Sequence, residues 1–255
     1  KSNTIFYDLI VFNLRNPILF QKTIRQALSL AIDFGKVRET TGTSPFPNSK
    51  PLAWAPYPFQ AKQKLKEAND LLKNLGWIRK DDGFRYKNKK RLSFEIKTNA
   101  SRTYAQETLN YLKSQWREIG VDLIIPTETD SHFFDRTITN ASFTSMVYFT
   151  IEQPYSFIPY SRLYSKEIPN ASNDYDGQNI GSWTKKDIDV LLDKLKFAKD
   201  HKEYSRLANK LRLRIKEEIP FLIVNTHTRK AYSHTDLNFI VPGHQFPSSA
   251  IGTNF

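Results

Sequence analysis

The side chains with the widest chemical repertoire in this chain are five histidines: His132, His201, His227, His234 and His244. A helical zinc site needs two imidazoles at i and i+4, and no pair has that spacing. His227 and His234 are seven residues apart in a stretch that reads as extended, and structural histidines are the simpler reading. Two carboxylate pairs, Asp81-Asp82 and Asp187/Asp189, have the residue type for general acid and base work. The first runs into Gly83 in a turn signal and the second opens a helix, so turn and cap roles account for both. There is no nucleophile elbow, P-loop or dinucleotide glycine motif, and the nine glycines are scattered. With no cysteine, disulfides and thiolate metal sites are excluded. The triplets Asn99-Ala-Ser101, Asn140-Ala-Ser142 and Asn170-Ala-Ser172 matter only in a eukaryotic secretory route. Motifs alone give an α/β domain with no catalytic signature.

The 255 residues carry 38 Lys+Arg against 26 Asp+Glu, a net charge of +12. Apolar residues make up 39% and aromatics 13%, which excludes a wholly disordered chain. No apolar run reaches the roughly 18 residues of a membrane span. The charge permits nucleic acid, an anionic membrane or an acidic ligand as partner. It concentrates in two stretches: Lys62 to Arg91 holds 11 basic and 4 acidic residues, and Lys185 to Lys216 holds 11 and 5. Both read largely as helices with apolar stripes, so solvated helix faces explain them. The only methionine is Met146, and the reading is a processed chain or a piece of a longer one.

Periodicity supplies the elements. Ile5 to Asn13 reads as a mostly buried strand. Phe20, Ile24, Ala27, Leu28, Ala31 and Ile32 mark a helix, with Asp33 as N-cap of a short following helix. Residues 42 to 59, rich in proline and aromatics, read as an ordered loop. A helix from about Gln60 carries Leu65, Ala68, Leu71, Leu72 and Leu75 and ends at Gly76. A strand over 91–98, a helix over 104–119 ending at Gly120, and strands over 121–125 and 143–150 follow. Asp130 or Ser131 is expected to cap a short helix carrying Phe133, Phe134 and Ile138, and Pro154 to start another. Residues 165 to 181 read as a polar surface loop. Thr184 to Asp187 reads as a capping box opening a helix with Ile188, Leu191, Leu192 and Leu195. A longer helix stops at Pro220, before the strand Phe221 to Val224. The alternation of strand and helix predicts an α/β sheet with parallel pairs.

Several stretches resemble the extracellular solute-binding protein family 5, the oligopeptide, dipeptide and nickel receptors of bacterial ABC importers. Ile24-Arg25-Gln26-Ala27-Leu28 through Ala31-Ile32-Asp33 is similar to the family's V-R-Q-A-L-x-x-A-I-D helix, preceded by a strand ending Phe12-Asn13. Ala61 to Trp77, closing on Leu75-Gly76-Trp77, resembles its K-A-x-x-L-L-x-x-A-G-W helix. Asp82-Gly83 with Arg91 to Phe94, Gln106 to Leu123, and Asn179 to Trp183 followed by Asp189 to Leu192 resemble the elements that come next. The helix end Glu218-Ile219-Pro220 also fits. The matches run in family order from residue 5 to about residue 224.

The resemblance implies a fold and a role. The fold is an α/β lobe of the periplasmic-binding-protein type, a mixed, mostly parallel sheet flanked by helices. Residues 1–225 would form the C-terminal solute-binding lobe, and 226–255 a tail crossing back toward an N-terminal lobe missing from this chain. Two lobes would close by a hinge on a solute, an oligopeptide or related molecule, and the closed form would dock on an ABC permease. No cofactor, metal or enzymatic activity is implied. The location implied is periplasmic, or lipid-anchored at the outer face of the cytoplasmic membrane. Arg136 matches the arginine that pairs with a ligand carboxylate in peptide-binding members, a task suited to a guanidinium's parallel donors. Where such members carry W-x-x-D, this chain has Thr150 at the anchoring aspartate, with Glu152 near enough to substitute. Tyr148 and Phe149 are candidates for stacking on the ligand, one facing the core and one the cleft. Asn13 completes the candidate ligand-binding set. Gln21 stands where an aspartate usually caps the first helix.

Two other readings remain open on sequence. The same lobe type serves as the sensor half of transcription regulators, and the +12 charge could be a nucleic-acid footprint. The latter predicts steeply salt-dependent binding; the absence of a nucleic-acid motif argues against it, and no nucleic-acid partner is expected.

Overall fold

The computed structural model describes residues 4–40, 62–101, 103–154 and 158–227. In chain order, strand β1 (Thr4–Phe12) precedes helices α1 (Lys22–Leu30), α2 (Phe34–Thr40) and α3 (Leu65–Asn74). A small meander follows: β2 (Ile78–Arg79), β3 (Arg85–Lys87) and β4 (Lys90–Arg91). Then come β5 (Ser93–Asn99), α4 (Thr103–Glu118), β6 (Asp122–Ile124), β7 (Thr127–Glu128) and the single turn α5 (Asp130–His132), which widens into a π-helix over Phe133–Ile138. Strand β8 (Met146–Pro154), α6 (Tyr160–Leu163), α7 (Lys186–Lys196), α8 (His201–Glu218) and β9 (Phe221–His227) complete the described chain.

The main sheet runs in the order β6-β5-β8-β1-β9, with β7 pairing the far end of β5. It is a mixed sheet flanked by helices: β5 pairs β6, β7 and β8 in parallel. The longer pairings, β1 with β8 and β1 with β9, are antiparallel. The central strands are apolar on both faces because helices cover both. Ile10, Phe12, Tyr148 and Met146 share one face, on which Tyr104 at the start of α4 reaches Thr150. Leu9, Val11, Phe149 and Ile151 share the other, which lies against α6.

Helix ends follow the sequence signals where glycine is required. Gly76 at φ +82° and Gly120 at φ +79° each follow a helix, where an L side chain would be strained. Trp77 N–H donates to Leu72 C=O and Gly76 N–H to Lys73 C=O; Val121 and Gly120 repeat the pattern onto Trp116 and Arg117. Asp33 caps α2 through bonds from Gly35 and Lys36 N–H at 3.0 and 3.1 Å. Gln21 stands at the N-cap of α1 without a side-chain bond.

The structure corrects five local expectations. Thr129, not Asp130 or Ser131, caps the turn at Asp130, because the Asp130 carboxylate is turned toward Asn99 and Ser101. The Thr184 capping box does not form: Lys185 takes the N-cap position, and Asp187 is held by Arg214 of α8 at 2.9 Å. Pro154 ends β8 in register with Thr4 instead of starting a helix. The segment 165–181 contains two short 3-10 turns and a buried end, Asn179 and Ile180. Asn179 fixes that end by donating to the Tyr164 and Trp183 carbonyls, each at 2.8 Å. The helix expected from Gln60 begins at Leu65. The loop 42–59 and tail residues 228–255 lie outside the described residues, while Thr226 and His227 belong to β9.

Arg25 ties the two ends of the lobe together. Its guanidinium donates to Leu19 C=O at 2.6 Å, Phe20 C=O at 3.0 Å, Ile219 C=O at 2.8 Å and the Glu218 carbonyl. Burial pushes its pKa down to about 10, against the opposing pull of the Glu218 charge.

Candidate functional site

Register defines the carboxyl edge of the parallel strands. β5, β7 and β8 run the same way: Asn99 ends β5 beside Glu128 of β7, level with Phe149 of β8, and β8 continues beyond them to Pro154. β1 is antiparallel to β8 and β9 to β1, so β1 enters and β9 leaves at that same edge. In open α/β sheets ligands gather outside the carboxyl ends of parallel strands. Among the described residues, the polar side chains that cluster at this edge fall into three groups.

The first cluster crosses the sheet. Asp8 of β1 lies opposite Thr150 of β8 and Asn225 of β9. Asp8 is fully buried, and Thr150 Oγ1 donates to its Oδ1 at 2.5 Å. The Tyr104 hydroxyl lies 3.1 Å from Thr150 Oγ1. With the threonine proton committed to Asp8, Tyr104 is the donor in that pair. The chain Tyr104–Thr150–Asp8 therefore holds Thr150 in one orientation.

The second cluster joins β5 to α5. Asn99 Nδ2 donates to Ser101 Oγ at 2.9 Å and to Asp130 Oδ1 at 3.1 Å. In the third, Glu128 accepts from Thr137 Oγ1 at 2.6 Å and pairs with Lys97 Nζ at 2.9 Å. His132 Nε2 is 3.9 Å away. Burial works to raise the Glu128 pKa, but the hydrogen bonds from Thr137 and Lys97 and the nearby Lys97 charge outweigh it and hold the carboxyl below its ordinary range. No group of three metal-ligating side chains exists among the described residues.

The expected site residues are distributed as follows. Thr150 and Glu152 both stand on the carboxyl-edge half of β8, Thr150 bonded to Asp8 and Glu152 exposed. Arg136 is exposed on the π-helix, and its guanidinium has no hydrogen-bond partner among the described residues. Tyr148 and Phe149 point to opposite faces of the sheet, and both are buried, at 1% and 3% exposure. The cation of Arg162 lies 5.8 Å from the Phe149 ring centroid. Asn13 sits past the other end of β1, five residues beyond Asp8, about 17 Å along an extended strand. There its Nδ2 donates to Phe143 C=O at 2.5 Å, and its Oδ1 accepts from Arg15 N–H at 3.0 Å. The structure thus brings Thr150 and Glu152 together and keeps Asn13 apart from them.

Sequence reasoning missed Asp8, Tyr104, Asn99, Asp130 and Glu128 as a group. A signal existed for Asp8: a carboxylate inside the apolar run Ile5 to Phe12 has to find partners. The others are joined only by the strand order.

The profile of bacterial extracellular solute-binding proteins, family 5 Middle, matches residues 1–167. The oligopeptide-binding protein AppA of Bacillus subtilis (strain 168) is 26% identical over 228 residues, covering 84% of this chain and 40% of that protein. Among solved structures, AppA from Bacillus subtilis in complex with a nonapeptide aligns at TM-score 0.69 and 22% identity, over 86% of this chain and 46% of that one. The oligopeptide-binding protein from Thermus thermophilus complexed with a pentapeptide aligns at 0.74 and 22%, over 87% and 42%. NikZ from Campylobacter jejuni in complex with Ni(L-His) aligns at 0.70 and 23%, over 88% and 47%. The chain spans less than half the length of these relatives.

Proposed function

The chain belongs to the bacterial extracellular solute-binding proteins of family 5, and from that premise we propose that it is the C-terminal lobe of an ABC importer's receptor. Its role is to capture an oligopeptide or related solute in a cleft shared with a second lobe, for delivery to a membrane permease. It acts as a binding module, not an enzyme, outside the cytoplasmic membrane. One observation supports this most: β1 and β9, the strands that enter and leave the lobe, meet β5, β7 and β8 at one edge lined by polar side chains. Two chain crossings beside a ligand-facing edge are what a hinge needs.

In this reading Arg136 grips a ligand carboxylate, its guanidinium exposed and free of competing partners among the described residues. Glu152 faces solvent on the strand that carries Thr150 and supplies a negative charge for an amine. Thr150 has no charge to offer and is bonded to Asp8, so amine recognition falls to Glu152. Tyr148 and Phe149 set the shape of β8 by packing into the two layers beneath it.

The test is calorimetric titration of the full-length gene product with short peptides. Binding that depends on the peptide carboxylate and is lost in Arg136→Ala supports the reading. Equal affinity for a peptide and its C-terminal amide counts against the arginine anchor. No peptide binding at all counts against peptides as the solute.

A further inference from the structure

The β2–β3–β4 meander carries a face that the carboxyl edge does not use. Between Ile78 and Arg91 the chain holds seven Lys+Arg and two Asp. Arg85 of β3 points inward: it is buried and donates to the carbonyls of Ile119 and Trp77. Tyr86, next in the strand, therefore faces out. Directly opposed residues share a face, so Ile78, Tyr86 and Arg91, cross-strand partners in β2, β3 and β4, stand together. Ile78 is 55% exposed.

Cations fringe the rings of this face. Arg117 of α4 lies 3.5 Å from the Phe84 ring centroid, and Arg91 lies 4.4 Å from it and 5.6 Å from that of Tyr86. Lys80 Nζ is 5.2 Å from the Tyr86 centroid. The hairpin tip turns through Asn88 and Lys89 at φ 50° and 62°, the paired positive values of a type I′ turn. It presents Lys87, Lys89 and Lys90, all exposed. Lys87 donates to Leu75 C=O at 2.7 Å, while Lys89 and Lys90 have no ion pair among the described residues. Asp82 and Asp122 are engaged by Arg91 at 3.3 and 3.1 Å, which leaves Asp81 and Glu118 as the free carboxylates nearby.

An exposed aliphatic side chain beside amphipathic rings, fringed by surplus cations, suits a bilayer interface. The apolar group enters the headgroup boundary, and the cations meet lipid phosphates. Nucleic-acid bases need open ring faces to stack on, whereas Phe84 already carries two guanidiniums of its own chain.

We propose that the β2–β4 face docks this lobe on an anionic phospholipid surface. The meander adjoins the amino end of β5 at Ser93, and Asn99 ends that strand about 20 Å further on. A lobe docked this way holds its carboxyl edge away from the lipid and open to solvent. The choice of a lipid surface rests on the reading that the chain works outside the cytoplasmic membrane. The two fail separately, because the face shares no residue with the solute-binding set.

The test is co-sedimentation of the 255-residue chain with vesicles of equal parts phosphatidylglycerol and phosphatidylcholine, against vesicles of phosphatidylcholine alone. Binding is expected to the anionic vesicles only, and to weaken as salt rises. Lys89→Gln with Lys90→Gln should weaken it by about tenfold or more, and Ile78→Ser by about two- to fivefold. Lys202→Gln with Lys210→Gln, exposed on α8, should leave it unchanged. All five side chains are exposed, so each variant keeps its fold. Equal partition into both vesicle types, unchanged partition in the Lys89/Lys90 or Ile78 variant, or an equal loss in the α8 variant overturns the proposal. Preference for a duplex DNA fragment over the anionic vesicles, lost in the Lys89/Lys90 variant, overturns it in favour of nucleic acid.

Discussion

Thr150 of β8 donates its hydroxyl proton to Asp8 of β1 across 2.5 Å, inside the sheet and beneath the Tyr104 hydroxyl. The relationship explains how an apolar strand tolerates a carboxylate: Asp8 is fully buried but has a donor directly across the ladder. It also fixes what Thr150 can do, since its proton is already used.

Replacing that donor exposes its value. Thr150→Val keeps the shape and removes the hydroxyl, leaving a buried carboxylate oxygen short of a donor. The expected loss is about 1–3 kcal/mol, read by urea denaturation, with Thr150→Ser close to wild type. A valine variant as stable as wild type would mean that the bond contributes nothing.

Arg25 staples two segments far apart in the chain. It links the carbonyls of Leu19 and Phe20 to those of Glu218 and Ile219, where Ile219 adopts a left-handed φ of 49°. Arg25→Met should be clearly destabilising, because it strips the donor from four carbonyls and each one left buried and unpaired costs about 1–3 kcal/mol. Chemical denaturation followed by tryptophan fluorescence would measure it. Arg25→Lys should recover only part, because an ammonium lacks the planar fork.

Glu128 predicts one part of the acid limb of stability. Its folded pKa lies below the ordinary value, so the unfolded chain takes up a proton first as pH falls. The stabilisation is complete above the ordinary glutamate pKa of about 4.3 and disappears as pH drops through the lower folded value. Glu128→Gln should flatten the stability profile in that window and leave its shape near neutrality unchanged. A profile of unchanged steepness would contradict the Lys97–Glu128–Thr137 arrangement.

Arg136 should separate binding from stability. Its guanidinium is exposed and has no hydrogen-bond partner among the described residues, so Arg136→Ala should change stability by no more than about 0.5 kcal/mol. The same substitution should weaken capture of a carboxylate-bearing ligand by the whole receptor. Thermal melts of the chain and peptide titrations of the full-length protein check the two halves.

Much of the fold was legible because local rules and burial agree. Gly76 and Gly120 occupy the left-handed position after their helices, and Asp33 caps α2. Strands β5 and β6 pair in parallel around α4 as the strand–helix–strand pattern requires. The antiparallel insertion of β1 between β8 and β9 was not legible, because an apolar run carries no record of its neighbours' direction. The failed cap at Thr184 has a similar cause. Arg214, 27 residues from Asp187, competes for the carboxylate that the local motif needed. At the edge, Thr150 and Glu152 were expected from the resemblance, whereas the pairing of Asp8 with Thr150 and of Asn99 with Asp130 arises only through tertiary structure. Asn13 belongs to a turn at the far end of β1, where its bonds to Phe143 and Arg15 explain its burial.

The central claim is that this lobe helps hold a solute at the carboxyl edge of its sheet. Native mass spectrometry of the full-length gene product, purified without added ligand, tests it most directly. The expected result is a ladder of co-purifying short peptides, or a single small solute, released in the Arg136→Ala protein. Nucleic acid as the only co-purifying species, stripped by high salt, would contradict it.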